Sequence, residues 1–212
     1  MAAPDLLVPL TLVVGEEELL VSRAVSAVVR AARAADPDVE VRDLVGAELE
    51  RGDLDEVLTP SLFGERRVLV VRRAQDCVKD VAAELVAYLK DPIDDVHIVV
   101  VHAGGVKGKA LLTAVAVAGA RTVEAPRITK FGERRDFVRR ELKVDGRLVE
   151  DEAVAALLEA VGNDLRELSS AAAQLLADTE GPITVEAVAR YHRGRAESSG
   201  FTIADRAVDG DL

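Results

Sequence analysis

Leu10-Thr11-Leu12-Val13-Val14-Gly15-Glu16-Glu17-Glu18-Leu19-Leu20 joins a nearly continuous apolar run, through one glycine, to an amphipathic pattern. A strand that is apolar at almost every position is expected to be covered on both faces, as the strands of parallel sheets are when helices flank them. Downstream, Val21, Val25, Val28 and Ala32 recur at spacings of four, three and four. The segment from Glu17 to Arg33 is therefore expected to be a helix with one apolar face. Glu16, Glu17 and Glu18 complement the positive end of its dipole.

Four more β-branched runs follow, Val39 to Leu44, Val68 to Val71, His97 to Val101 and Arg121 to Val123. Helical patterns separate them at Val78 to Lys90 and Lys107 to Val117, with a weaker, polar one from Ala47 to Leu58. Strands alternating with helices imply parallel pairing, so the expected fold class is α/β, a doubly wound parallel sheet of about five strands over residues 1–125. Near Pro126 the alternation gives way to helices alone, and Pro126 itself disfavours helix in the residue before it. A small helical domain is expected over residues 126–194. Its helices are placed at about Lys130 to Lys143, Glu150 to Val161, Asp164 to Ala177 and Val185 to His192, with Asp164 and Thr184 as N-caps.

Composition narrows the chemistry. The 212 residues carry 27 Lys+Arg against 38 Asp+Glu, a net charge of -11 that argues against nucleic acid as the main partner without forbidding a local basic face. Cys77 is the sole cysteine, and His97, His102 and His192 show no ligand spacing, so neither an intrachain disulfide nor a zinc site is expected. No apolar run approaches the roughly 18 residues that span a bilayer, and the chain is expected to be cytoplasmic with no membrane partner.

An α/β core followed by a helical domain is the layout of many nucleotide-driven ATPases, whose phosphate loop needs G-x-x-x-x-G-K-[ST] after a strand. Here Gly15 is followed by three carboxylates, which would repel a triphosphate. A second glycine-rich turn, Gly104-Gly105-Val106-Lys107-Gly108-Lys109-Ala110, has Ala103 where the first glycine belongs and Ala110 where a hydroxyl belongs. It is expected to be a basic turn capping a strand. The metal-binding acidic pair at a strand end is missing as well, because Val71 leads into Arg72-Arg73. Asp94-Asp95 is expected to be a solvated turn, Ser169-Ser170 and Ser198-Ser199 have no neighbouring base, and Cys77 is expected to be partly buried despite Lys79 nearby. No catalytic residue, cofactor or metal is expected. Between Arg127 and Arg147 eight Lys/Arg stand against four Asp/Glu, with Arg135, Arg139 and Lys143 at i, i+4 and i+8. A solvated face balanced by Glu133, Asp136 and Glu141 is favoured there over a nucleic-acid or subunit contact.

In Thr59-Pro60-Ser61-Leu62-Phe63-Gly64-Glu65-Arg66-Arg67 two large apolar side chains stand in a punctuated turn before the third strand. Periodicity alone places Leu62 and Phe63 in the core. The longer stretch from Ser61 through Val71 closely resembles a segment of the delta subunit of the bacterial DNA polymerase III clamp loader. Leu12-Val13-Val14-Gly15-Glu16-Glu17 is similar to that family's opening strand and degenerate phosphate loop, and Gly162-Asn163-Asp164-Leu165-Arg166-Glu167-Leu168 to a helix start in its second domain. The resemblance implies an AAA+-like fold that has lost ATPase function, within a DNA-directed DNA polymerase holoenzyme, and a helical lid over residues 126–194. It also implies that Leu62 and Phe63 bind the sliding clamp (the beta subunit) and help open its ring for loading onto primed DNA. Further partners implied are the gamma/tau and delta-prime loader subunits, and DNA through the assembled complex. Phe201-Thr202-Ile203-Ala204-Asp205 resembles the first turn of the family's C-terminal collar, so residues 195–212 are expected to begin a domain that is truncated here. Besides a generic protein-binding scaffold, which only a named partner separates from this reading, two specific alternatives remain at this stage. One is a delta-prime-type loader subunit, which commonly carries a cysteine-rich zinc module that this chain lacks. The other is an α/β enzyme binding a phosphorylated small molecule at the Gly104 to Lys109 turn.

Overall fold

The computed structural model describes residues 7–59, 65–143 and 146–191, which fall into two compact units dividing between Arg127 and Ile128. In the first unit, β1 (Leu10–Val14), β2 (Glu40–Val45), β3 (Arg67–Arg72), β4 (Val96–His102) and β5 (Arg121–Glu124) form one sheet in the order β2-β3-β4-β1-β5. Every pairing is parallel. The helices between them are α1 (Glu18–Ala35), α2 (Asp55–Leu58), α3 (Lys79–Tyr88) and α4 (Lys109–Val117).

The period-two geometry of a strand explains the continuous apolar runs. Val68 and Val70 of β3, with Val99 and Val101 of β4, meet Val21, Val25, Val28 and Ala32 of α1 in one core. Leu69, Val71, Ile98 and Val100 point the other way and meet Val81 and Leu85 of α3 and Leu111 and Val115 of α4 in a second. All seven residues of β4 are buried. An alternating sequence would leave one of these two cores polar. Truncating a side chain such as Leu69 to Ala would cost about 2–5 kcal/mol, the range for large-to-small changes in a close-packed core.

The polar segment from Ala47 to Leu58 does not form one helix. It holds a 3₁₀ turn at Gly46–Glu48 and then only the four residues of α2. The reason is local: Gly52 takes φ +91°, and the Asp53 carboxylate accepts the Glu50 N–H at 2.7 Å, diverting a donor from helical bonding. Leu54 and Val57 nevertheless reach the second core.

The second unit contains α5 (Phe131–Leu142), α6 (Asp151–Val161), α7 (Leu165–Asp178) and a helical stretch at 185–191. Phe137, Leu142, Leu157, Leu168, Leu175 and Ile183 are fully buried within it. The Asp164 carboxylate accepts the N–H groups of Arg166 and Glu167, each at 2.9 Å, and Thr184 Oγ1 accepts that of Ala187 at 3.3 Å. These are the two N-caps read from the sequence. Residues 192–212, with the expected collar start from 195, lie outside the described residues.

Candidate functional site

In an open α/β sheet, ligands bind beyond the carboxyl ends of the strands where successive connections leave in opposite directions. Here that place is between β1, whose connection runs toward β2, and β4, whose connection crosses to β5. The crevice is closed by backbone hydrogen bonds. Gly15 N–H donates to His102 O at 3.0 Å, Glu17 N–H donates to Ala125 O at 3.1 Å, and Ala125 N–H returns to Val14 O at 2.7 Å. A phosphate loop works by aiming free N–H groups at the anion. Two donors of this loop, the N–H groups of Gly15 and Glu17, already have carbonyl partners, and Glu16, Glu17 and Glu18 add negative charge at the helix opening.

The glycine-rich turn after β4 is built around His102, which is fully buried. Its Nδ1 accepts the Gly104 N–H at 2.9 Å, while Nε2 faces the Lys107–Gly108 backbone without a well-formed hydrogen bond. Gly108 sits at φ +66°, with its missing Cβ 2.6 Å from Gln75 Cα and 2.9 Å from His102 Nε2. Burial lowers the His102 pKa from its ordinary 6.5, opposed by the Gly108 and Lys107 backbone and by Asp76. Asp76 in turn bridges Lys107 and Arg73, and the hydrogen bond from Lys107 holds its carboxyl below the usual range. Lys107 is thus engaged by a carboxylate, and the turn ties β4 to the 3₁₀ segment Ala74–Asp76. The Gln75 side chain completes this by accepting the Ala103 N–H at 3.1 Å.

At the end of β3, where a nucleotide hydrolase would place acidic metal ligands, two arginines stand instead. Arg72 makes a forked pair with Asp43 at 2.8 and 2.9 Å, which raises the Arg72 pKa. Arg73 takes the left-handed conformation at φ +52° and bonds Asp76 at 2.7 Å. Among the described residues no group of three His, Cys, Asp or Glu is placed to hold a metal.

The other residues singled out by sequence have structural partners. Ser169 donates to Glu141 at 2.7 Å. Cys77 is half-buried, and desolvation followed by the Asp76 charge pushes its thiol pKa up, so Lys79 does not activate it. Asp94 and Asp95 lie in a turn. On α5, Arg139 pairs with Asp136 at 3.9 Å and with Asp151, whereas Arg135 and Lys143 are exposed. Arg147 leaves the basic face altogether. Its guanidinium donates to the carbonyls of Leu176, Thr179 and Gly181 at 3.0, 2.6 and 2.7 Å. Leu62 and Phe63 lie outside the described residues. Their flanks are described: Thr59 follows α2, and Arg67 opens β3.

The family model described as DNA polymerase III, delta subunit matches residues 12–125, from the first strand to the Ala125 that closes the phosphate-loop position. The chain belongs to this family. Among solved structures, a DNA clamp loader delta protein of Bacillus subtilis superimposes with a TM-score of 0.67 at 20% identity, over 87% of this chain and 58% of that one. The chain therefore spans somewhat over half the length of that delta protein. The RuvB Holliday junction branch migration motor of Thermotoga maritima gives 0.49 at 15% identity, over 87% and 61%. Domain III of the replication initiation protein DnaA from the same organism gives 0.47 at 16% identity, over 85% and 82%. No curated protein matches the sequence. The chain shares the α/β fold of that delta protein, here with backbone hydrogen bonds from Gly15 and Glu17 across the crevice of the sheet.

Proposed function

We propose that this delta-family chain captures the polymerase sliding clamp through Leu62 and Phe63 and helps hold its ring open for loading onto primed DNA. Membership of the delta family across residues 12–125 carries this reading, since Leu62 and Phe63 stand in the stretch that matches. An apolar pair on a constrained connection suits a protein-binding anchor, where each buried side chain contributes roughly 2–4 kcal/mol. The chain hydrolyses no ATP in this reading. Partner subunits of the gamma/tau and delta-prime types supply that chemistry, DNA is met through the assembled loader, and the work is cytoplasmic. Tight binding alone does not open a ring: the chain favours the open clamp only by the excess of its affinity for that state over the closed one.

The test is a titration of the chain against the clamp without nucleotide, beside a folded Leu62→Ala/Phe63→Ala variant. Binding by the parent, weakened at least tenfold in the variant, is the expected result, equivalent to about 1.4 kcal/mol. Equal binding by both would remove the site, and absence of binding would remove the partner.

A further inference from the structure

The carboxylates that the sequence sets against the basic side of α5 are committed elsewhere or to Arg139 alone. Glu133 accepts the Lys130 N–H at 3.3 Å and lies 3.6 Å from Lys130 Nζ, in a capping box at the start of the helix. Asp136 pairs with Arg139 at 3.9 Å, and Arg139 reaches on to Asp151. Glu141 accepts from Ser169 of α7 at 2.7 Å. Arg135, Arg140 and Lys143 are exposed, and none of the three forms a salt bridge among the described residues. Phe131, the first residue of α5, is 59% exposed. It precedes Arg135 by four residues, which puts the two side chains side by side, about 6 Å apart along the helix axis.

We infer that this face of α5 binds single-stranded DNA, with Arg135, Arg140 and Lys143 neutralising phosphates and Phe131 stacking on a base. Uncommitted cations beside an exposed aromatic ring are the combination that holds single strands, because every unstacked base offers a π-face. A duplex keeps its bases stacked and has no such face for Phe131. Membership of a DNA polymerase III subunit family favours DNA over an acidic protein segment as the polyanion. The net charge of -11 does not oppose this, since charges beyond a Debye length of about 8 Å are largely screened at physiological salt. The inference is independent of clamp capture.

The experiment titrates the chain, without clamp, against fluorescent oligothymidylate over a range of salt concentrations. Arg135→Ala/Arg140→Ala/Lys143→Ala is expected to lower the slope of log affinity against log salt by about 2, at roughly 0.7 per neutralised phosphate of a single strand. Phe131→Ala is expected to weaken binding about tenfold with the slope unchanged. A charge-matched control, Arg30→Ala/Arg33→Ala/Lys90→Ala, removes three exposed cations of the α/β unit and is expected to leave the slope within about 0.5 of the parent's. Absence of binding by the parent at low salt would overturn the inference, as would equal losses in the two triple variants or an unaltered affinity in Phe131→Ala. Polyglutamate that binds as tightly and responds to the same variants would assign the face to an acidic protein and overturn the DNA reading. Should the α5 triple variant fail to fold, Arg135→Ala alone decides, by a fall in slope of about 0.7.

Discussion

Gly15 lies so close to Ala125 that a Cβ on it would stand 1.8 Å from the Ala125 carbonyl oxygen. Its φ of +142° is also one that side-chain-bearing residues rarely adopt. Gly15→Ala is therefore expected to destabilise the α/β unit by at least about 2 kcal/mol, through overpacking against backbone that cannot move aside. Urea unfolding measures it. An unchanged midpoint would mean that the loop after β1 is looser than these bonds require.

The same closure predicts the response to nucleotide. With the Gly15 and Glu17 N–H groups bonded to His102 and Ala125, and with Glu16, Glu17 and Glu18 repelling a triphosphate, ATP with Mg²⁺ is expected to bind poorly at the crevice. A site with ligand at a hundred times its Kd would stabilise the chain by about 2.7 kcal/mol, a clear rise in Tm. The expected result at millimolar ATP is no shift. A rise would show that the loop opens to accept phosphate.

His102 sets a pH dependence whose sign is fixed by its burial. Its folded pKa lies below the ordinary 6.5, so below that pH the unfolded chain binds more protons than the folded one. The stability from neutral His102 is fully present above about 6.5 and is lost as pH falls through the folded value. Protonation at Nδ1 also removes the acceptor of the Gly104 N–H. The groups facing the ring are Asp76 and the Lys107–Gly108 backbone, with Lys107 held on Asp76. Urea midpoints between pH 5 and 8 are expected to fall on the acid side in the parent. His102→Asn, which keeps an acceptor near Gly104, is expected to flatten that part of the curve; equal slopes in the two proteins would contradict the assignment.

Much of the sheet was legible because its physics is local. A strand buried on both faces is written as an unbroken apolar run, and β1, β3 and β4 are such runs. The missing phosphate loop was legible from Glu16, Glu17 and Glu18, but the way the crevice is sealed was not. Hydrogen bonds from Gly15 to His102 and from Glu17 to Ala125 join residues more than eighty positions apart through their backbones, which carry no side-chain signature. Leu62 and Phe63 show the converse. Apolar periodicity cannot separate an anchor for a partner from core, and the proposed clamp-binding role of Leu62 and Phe63 comes from the resemblance of Ser61 to Val71 alone.

Arg147 was grouped by charge with the basic stretch from Arg127, yet its guanidinium serves the end of α7. It donates to the carbonyls of Leu176, Thr179 and Gly181 and to Thr179 Oγ1 at 3.0 Å, placing a cation where the helix dipole is negative. Arg147→Met leaves these carbonyls without that donor and is expected to cost about 2 kcal/mol, with Arg147→Lys recovering only a part because it cannot fork. Arg135→Ala, on the exposed face of α5, is expected to stay within about 0.5 kcal/mol. Urea unfolding of the three variants provides the comparison. A loss at Arg135 as large as that at Arg147 would mean that the basic face bears on folding, and equal, negligible losses at both would mean that α7 ends without needing its arginine.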